Sequence, residues 1–267
     1  MHRLVSLPWS TFFGSLFVLL TTIGLIGNTV VIIAISGDRK MRKSVMNMLL
    51  LNLAVADALN LCTTCVEWTH TIVLGYPAWV FPDILCPIAR YLECVFLFTS
   101  ILTQLTVCVE RFIAIVYPIH ARRLCSRANI LMTIVLIWSF VFLLALPYLL
   151  LNQKRPNSRV CSNPHSSTAF WIAYKWVEFF SLYFLPCLVF MVLYSKVCFV
   201  LWAKNRELYE ESTPMTTTLV SGELNRNIPP APRSDALVMR RNVVKMLVAC
   251  VSIYFVCYSP IQGIFLS

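Results

Sequence analysis

The fold is decided by one long apolar stretch, Cys86–Pro118, which reads CPIARYLECVFLFTSILTQLTVCVERFIAIVYP. As a helix rising about 1.5 Å per residue, it covers roughly 27 Å between Glu93 and Arg111, close to the thickness of a bilayer's hydrocarbon core. Sequence spacings of seven, four and seven residues place Glu93, Ser100, Gln104 and Arg111 on one stripe of this helix. Polar groups at membrane depth are costly unless they face a bundle interior. The stretch therefore predicts the central helix of a bundle.

The composition indicates an all-α, polytopic membrane protein. Hydrophobic residues make up 58% of the 267 residues, charged residues only 13%, and the mean hydropathy is +0.74. Apolar stretches long enough to cross a membrane are predicted at about 9–35, 45–73, 85–117, 128–151, 169–202 and 242–266. Residues 203–239 are polar and contain prolines, which predicts a disordered loop before the sixth span.

The basic residues sort by side of the membrane. With the N-terminus outside, 16 of the 22 lysines and arginines fall on the cytosolic side. This positive-inside bias predicts an external N-terminus, and it favours anionic membrane lipid over nucleic acid as the partner of the net charge of +10. The first apolar stretch is too long for a cleaved signal peptide and is interpreted as the first span.

The cysteines predict one disulfide. Of the 11 cysteines, nine fall within spans or on the cytosolic side, which leaves Cys86 and Cys161 on the outer side. Two thiols in an oxidising compartment allow a single pairing. This bond ties the second outer loop to the top of the central helix.

A carboxylate lies near the membrane midplane. Asp57 has apolar neighbours on the second span, so it must be neutral or hold a cation. Ser100 lies at a similar depth on the central helix. We hypothesise a sodium site at Asp57 and Ser100, with a protonated Asp57 bonded to Asn28 as the alternative.

The cytosolic end of the central helix carries adjacent opposite charges. Glu110 can hold Arg111 in one position, and loss of this pairing would release the guanidinium toward a partner's backbone carbonyls. Such an arrangement is typical of a conformational switch, in which the arginine exchanges one binding partner for another. An arginine that merely anchors the helix at the membrane edge is the alternative interpretation.

At these positions the chain resembles a known family, the rhodopsin-like (class A) G-protein-coupled receptors. The residues that carry the resemblance, in order and over nearly the whole chain, are Asn28, Asn52–Asp57, Trp79, Cys86, Glu110–Phe112, Pro118, Trp138, Pro186, Tyr194 and Cys257–Pro260. The resemblance implies a seven-helix bundle, an extracellular ligand pocket, a plasma-membrane location and a heterotrimeric G protein at the inner face. Residues 1–267 are then one transmembrane receptor domain.

The resemblance also implies an activation path. The residues it places on this path are Ile101, Pro186, Tyr254 and Pro260 in the core, and Glu110, Arg111, Tyr194, Arg240 and Lys245 toward the G protein. Tyr254 stands where the family usually has Phe, and Tyr258 where it usually has Trp. Because Arg240 replaces the acid that restrains the switch arginine in some relatives, restraint of Arg111 should rely more on Glu110.

The outer face favours a neuropeptide ligand. Glu93, with Glu67 and Glu178 near the outer mouth, would suit a cationic group, and Tyr258 would lie beneath the ligand. In peptide-binding members of the family the second outer loop is a β-hairpin over the pocket. In this chain the loop would offer the basic side chains of Lys154, Arg155 and Arg159 to an acidic side chain or the carboxylate of the ligand. The alternative is a loop that is solvated and does not contact the ligand.

Other functions have less support in the sequence. A biogenic amine receptor is the nearest rival, since Glu93 could pair with an ammonium, although Ser181 is the only hydroxyl of its kind in span 5. A six-span channel or transporter lacks support because no selectivity-filter motif, arginine-repeat span or repeated half is visible. An enzyme is not expected, because the chain has no HExxH and no phosphate loop. Since the sequence ends soon after Pro260, we expect a fragment or truncated form.

Overall fold

Long helices joined by short connections make up the described part of the chain. The computed structural model describes residues 7–74, 79–154 and 160–212. In chain order the elements are α1 (Leu7–Gly37), α2 (Arg39–Lys43), α3 (Val45–Leu74), α4 (Leu85–Val116), α5 (Pro118–Leu124), α6 (Arg127–Leu144), α7 (Leu146–Leu151), β1 (Gln153–Lys154), β2 (Cys161–Ser162), α8 (Ala169–Phe179), a π-helical segment (Phe180–Phe184) and α9 (Leu185–Ser212).

Five membrane-length apolar helical stretches occur within these ranges. They are Thr11–Gly37, Val45–Thr69, Leu85–Val116, Arg127–Leu151 and Ala169–Val197. The first three spans are single helices whose ends lie within about two residues of the predicted ones. The sixth predicted span, 242–266, lies outside the described residues.

The fourth and fifth spans depart from the simple prediction. The fourth is divided at Ala145 into α6 and α7, and the fifth continues as helix to Ser212. Residues 203–212, expected to begin a disordered loop, are therefore helical, and the rest of that predicted loop lies outside the described residues. Polar composition at the end of a span favours solvent exposure, but it does not by itself end a helix.

The break in the fourth span follows from a proline. Pro147 is at the start of α7, and the backbone N–H of Tyr148 bonds to the carbonyl of Ala145, three residues back. The carbonyl of Leu144 then needs another donor, and the hydroxyl of Tyr174 on α8 supplies it at 2.9 Å. A neighbouring helix thus satisfies the backbone group that the break releases.

The fifth span contains the local bulge that its proline predicts. Pro186 has no N–H to donate to the carbonyl one turn earlier, and the π-helical segment Phe180–Phe184 ends two residues before it. Leu182 within this segment is 1% exposed and joins the main core. The π-helical bulge therefore includes a side chain, Leu182, that packs in the core of the bundle.

The central position of α4 is confirmed. This helix packs against α3, α6, α7 and α9. Its buried residues Val95, Phe98 and Ile101 form the main hydrophobic core with residues of α6 and the π-helical segment. Dense packing on several sides gives the polar stripe of α4 the protected surroundings that its composition requires.

One polar network joins three spans near their middle. The amide of Asn52 on α3 donates to the hydroxyl of Thr103 on α4 at 2.8 Å. The indole N–H of Trp138 on α6 donates to the Asn52 carbonyl oxygen at 2.9 Å. Because lipid offers no hydrogen bonds, these contacts fix the relative positions of α3, α4 and α6.

The outer ends of the helices are tied together by the predicted disulfide. Cys86 and Cys161 are bonded, with 5.7 Å between their Cα atoms, and Trp79 packs against them in a small buried cluster. Strand β1 pairs antiparallel with β2, with Lys154 opposite Cys161. The predicted β-hairpin of the second outer loop is thus confirmed, and it is anchored to the top of α4.

Candidate functional sites

The outer ends of α3 and α4 carry a charged group that we call the Arg90 cluster: Glu67, Trp68, Arg90 and Glu93. The guanidinium of Arg90 forms an ion pair through Nε with the buried carboxylate of Glu67, and its Nη1 lies 3.6 Å from Glu93 Oε2. The indole N–H of Trp68 donates to Glu93 Oε1 at 3.1 Å. Arg90 also lies 5.4 Å from the Trp68 ring centroid. Two carboxylates therefore share one cation beside an aromatic ring.

A second charged group, the Lys175 cluster, lies between α7 and α8 and consists of Tyr148, Trp171, Lys175 and Glu178. Lys175 Nζ lies 3.1 Å from both carboxylate oxygens of Glu178 and 2.7 Å from the Tyr148 hydroxyl. The same hydroxyl donates to Glu178 Oε2 at 2.6 Å. The ammonium also faces the rings of Tyr148 and Trp171. Glu178, expected to meet a ligand's cation, already holds a cation from its own helix.

The outer loop contributes a further ion pair. Lys154 Nζ lies 2.6 Å from the exposed carboxylate of Asp83, just before α4. This basic residue of the loop is therefore engaged with the top of the bundle. Arg155 and Arg159, predicted to face a ligand, lie outside the described residues, as does Tyr258.

Near the membrane midplane, α3 and α4 bring together the two residues proposed to hold sodium. The hydroxyl of Ser100 donates directly to Asp57 Oδ1. The amide of Asn28 instead donates to the carbonyl of Gly24 on its own helix, at 3.0 Å. The alternative, a protonated Asp57 bonded to Asn28, stays a prediction, because this contact uses only one hydrogen-bonding group of the Asn28 amide. Among the described residues no group of three or more His, Cys, Asp or Glu side chains could hold a metal.

The cytosolic end of α4 has the geometry expected of the Glu110 and Arg111 pair. Arg111 Nε donates to Glu110 Oε2 at 2.6 Å and Nη2 to Oε1 at 3.2 Å, a two-point contact. Burial and then the nearby charge of Glu110 raise the pKa of the Cys125 thiol in the following connection, against a lowering by Arg111. This thiol therefore stays protonated near neutral pH.

Part of the predicted activation path is visible. Ile101 on α4 is 2% exposed, and Pro186 at the start of α9 is also buried. Tyr194 lies further along α9. Tyr254, Pro260, Arg240 and Lys245 lie outside the described residues, so their assignment rests on the sequence alone.

Sequence reasoning missed the partners of the predicted carboxylates. Arg90, Trp68, Lys175 and Tyr148 were not singled out as site residues. A signal was present, because Arg90 precedes Glu93 by three residues and Lys175 precedes Glu178 by the same interval. Oppositely charged side chains at this spacing are neighbours on a helix.

The geometry just described belongs to a membrane receptor with a charged outer mouth and an arginine pair at its inner end, and comparison with known proteins identifies the family. The model of the 7 transmembrane receptor (rhodopsin family) matches residues 27–267. The chain belongs to this family. It is therefore a multi-pass receptor of the plasma membrane and not an enzyme, channel or transporter, and its helices are those of a seven-transmembrane bundle.

Individual relatives are consistent with this membership. The chain is 48% identical over 277 residues to neuropeptide receptor 15 of Caenorhabditis elegans, covering 98% of this chain and 76% of the relative. It is 30% identical over 273 residues to the allatostatin-A receptor of Bombyx mori, covering 100% and 67%. It is 28% identical over 278 residues to the tachykinin-like peptides receptor 86C of Drosophila melanogaster, covering 99% and 50%.

Proposed function

We propose that this chain is a receptor for an extracellular neuropeptide and that ligand binding activates a heterotrimeric G protein. Relatives from three invertebrates that align over nearly the whole chain are named as receptors for neuropeptides or other peptides. The observation that carries the proposal is the Arg90 cluster, where two acids share one base beneath a disulfide-anchored hairpin. An excess of acid at the outer mouth suits a ligand with a basic group.

In this proposal the ligand is held from two sides. Glu93 meets the basic group, and Arg155 and Arg159 of the hairpin meet an acidic side chain or the carboxylate. Tyr258 contacts the ligand from below. Glu178 contributes through its contact with Lys175 and Tyr148, and it faces a ligand directly only if that contact opens.

The signal then passes to the inner face. Ile101, Pro186, Tyr254 and Pro260 repack in the core, and the bulge before Pro186 allows the fifth span to shift. Arg111 leaves Glu110 and binds backbone carbonyls of the G protein, with Tyr194, Arg240 and Lys245 completing the contact surface. The two-point contact between Glu110 and Arg111 supports a resting state in which this arginine is held.

We propose a sodium site at Asp57 and Ser100 as a further feature of this receptor. The residues fit in part, since one carboxylate and one hydroxyl from two helices meet at membrane depth. Both are the oxygen ligands that hard cations prefer. They would supply two ligands, and the ion would stabilise a charge that is otherwise costly there.

A small amine ligand is not favoured. The hydroxyl of Ser181 donates to the carbonyl of Val177 on its own helix at 2.6 Å. A small amine would therefore find the hydroxyl of Ser181 already bonded to its own helix.

The test expresses the full chain in cells and measures G-protein dissociation against two panels, synthetic neuropeptides and biogenic amines. We expect activation by a peptide. Glu93→Gln should weaken its potency in part, Ser181→Ala should leave it unchanged, and Arg111→Ala should abolish signalling while binding persists. Activation by amines alone, with all binding lost in Glu93→Gln, would overturn the proposal.

A further inference from the structure

The first two inner connections of the bundle carry a dense group of bases, which we call the inner basic face. Residues 37–49 and 117–130 contain one acid, Asp38, against seven lysines and arginines: Arg39, Lys40, Arg42, Lys43, Arg122, Arg123 and Arg127. All seven residues are exposed. Asp38 already caps α2, since its Oδ1 accepts the backbone N–H of Lys40 at 2.7 Å. Like charges held close together repel each other unless an anion binds among them.

Packing between α3 and α6 brings the two halves of this face together. Leu49 of α3 and Ile130 of α6 are buried in one hydrophobic cluster, and Met46 of α3 packs against it. Both helices begin at the cytosolic side, so the residues before these contacts lie further toward the cytosol. Lys43 at the end of α2 precedes Met46 by three residues, and Arg127 at the start of α6 precedes Ile130 by three. The two bases therefore lie at a similar depth beside the same helix contact.

Hydrogen bonds hold both short inner helices in place. Asn47 Nδ2 on α3 donates to the carbonyl of Met41 in α2 at 3.0 Å. Asn129 Nδ2 on α6 donates to the carbonyls of Arg123 and Leu124 at the end of α5, at 3.2 and 3.1 Å. The backbone that carries the bases is thus fixed before a ligand arrives, which lowers the ordering cost of binding.

Helix stability and membrane orientation do not fully explain this arrangement. Five of the seven bases are in the last turns of α2 and α5, where the helix dipole favours a cation. Arg127, in contrast, is the first residue of α6, where the same dipole disfavours a cation. The positive-inside rule requires bases on this side, but it does not require them to converge on one helix contact. An anion bound at the membrane surface accounts for both observations.

We propose that Arg42, Lys43 and Arg127 form a site for the headgroup of an inner-leaflet phosphoinositide, a phospholipid whose inositol ring carries two or more phosphate groups. Clusters of about four to eight bases directly inside a membrane span are typical of binding to such lipids. One headgroup of this kind carries several negative charges, so bases from two helices can contact it together. The inference goes beyond the proposed function, because it depends on neither the peptide ligand nor the G protein.

The face of α6 that continues from Arg127 favours a lipid over a soluble phosphate. Leu131 and Val135 follow Arg127 at intervals of four residues, so the three lie on one face of the helix. Both apolar side chains are exposed, as expected of a surface that faces lipid. A phospholipid can therefore place its headgroup at Arg127 and an acyl chain along Leu131 and Val135.

The experiment uses the full chain, without peptide or G protein, and native mass spectrometry, which counts the lipids bound to each molecule. Phosphatidylinositol bisphosphate, phosphatidylinositol and phosphatidylserine with the same acyl chains are titrated separately. A fourth probe, soluble inositol trisphosphate, carries the phosphates without acyl chains. We expect the bisphosphate lipid to bind at least about tenfold more tightly than each of the other three.

Variants assign the binding to the contact between α3 and α6. Arg127→Gln should weaken binding of the bisphosphate lipid about fivefold, which is the usual contribution of one base near an anionic surface. Arg42→Gln combined with Lys43→Gln should weaken it more than about tenfold. Arg127→Lys keeps the charge and should retain most of the affinity. Lys196→Gln is the matched control, because it removes an exposed base of α9, and it should leave the affinity unchanged.

Several results would overturn the inference. Equal binding of phosphatidylserine would show general attraction to anionic lipid, and equal binding of inositol trisphosphate would show that acyl chains are not recognised. A loss in Lys196→Gln as large as that in Arg127→Gln would show that the affinity is not localised at α2 and α6. Variants that bind the lipid normally but lose G-protein activation would assign these bases to the G protein instead. Failure of the lipid tests leaves the proposed function standing, because lipid binding is measured without signalling.

Discussion

The Arg90 cluster and the Lys175 cluster are built from similar residues but are balanced differently. Each contains a base three residues before an acid on one helix, together with an aromatic residue that donates to the acid. In the Lys175 cluster one acid, one base and one hydroxyl satisfy each other. In the Arg90 cluster a second acid is present. The sequence predicts the same role for Glu93 and Glu178, which is to meet a cationic group of the ligand. The structure indicates that Glu93 can accept further hydrogen bonds from a ligand more readily than Glu178 can.

The two clusters also differ in how much of their charged side chains is exposed. The side chains of Lys175 and Glu178 are 12% and 4% exposed, whereas those of Arg90 and Glu93 are 28% and 17% exposed; Glu67, at 4%, is as buried as Glu178. A balanced, enclosed cluster suits a structural contact between the fourth and fifth spans. A cluster whose base and one of whose acids are reached by solvent is more suitable for a binding site.

The largest effect is expected from removing the only base of the Lys175 cluster. Lys175→Met leaves Glu178 charged and buried, which should destabilise the chain by about 3–5 kcal/mol, or lower the Tm by about 10 °C. Thermal unfolding in nanodiscs measures this. Lys196→Met, an exposed lysine on α9, is the matched control and should change little.

A double variant tests whether the cost comes from the unpaired acid. Lys175→Met with Glu178→Leu removes both charges and should recover most of the lost stability, because replacing a buried pair is often nearly neutral. If the double variant is as unstable as Lys175→Met, packing of the lysine stem rather than charge pairing stabilises this region.

The next effect comes from the hydroxyl of the same cluster. Tyr148→Phe removes a group that donates to Glu178 at 2.6 Å and accepts from Lys175 at 2.7 Å. Hydrogen bonds to charged groups contribute about 1.5–3 kcal/mol, so a loss of that size is expected in the same unfolding assay. Tyr117→Phe, at an exposed position between α4 and α5, is the comparison variant and should change the Tm little. An unchanged Tm in Tyr148→Phe would mean that the ion pair alone is sufficient.

A smaller effect on stability is expected at the Arg90 cluster. Arg90→Gln leaves two acids without a base, but neighbouring acids can share a proton, and solvent reaches Glu93. We expect a loss of about 1–2 kcal/mol, less than for Lys175→Met. Arg122→Gln on the exposed face of α5 serves as the control. A loss equal to that of Lys175→Met would erase the distinction between the clusters.

The fold was largely predictable because bilayer thickness and hydrophobicity leave few choices. The first five spans, the central position of α4, the Cys86 to Cys161 disulfide and the bulge before Pro186 follow from length, compartment and the missing N–H of proline. The end of the fifth span was not predicted, because a helix can continue beyond the membrane as long as its backbone bonds are satisfied.

The sites were predictable only in part. Glu110 and Arg111 are adjacent in sequence, so their contact needs no tertiary information. The depths of Asp57 and Ser100 follow from helix rise alone. The pairing of Glu67 with Arg90, or of Tyr148 with Lys175, depends on how two helices are rotated about their axes. Hydropathy does not specify that rotation, which is set by packing.

The smallest loss of stability is expected for Trp68→Phe. This variant tests most directly whether the Arg90 cluster differs from the Lys175 cluster. The change keeps an aromatic ring beside Arg90 and removes only the N–H that donates to Glu93 at 3.1 Å. Because Trp68 and Glu93 are partly solvent-exposed, water can replace that donor, and the loss should stay below about 1 kcal/mol. Trp176→Phe, at an exposed position on α8, is the control. If Trp68→Phe instead costs as much as Tyr148→Phe, both aromatic donors are structural, and the Arg90 cluster has no more capacity for a ligand than the Lys175 cluster.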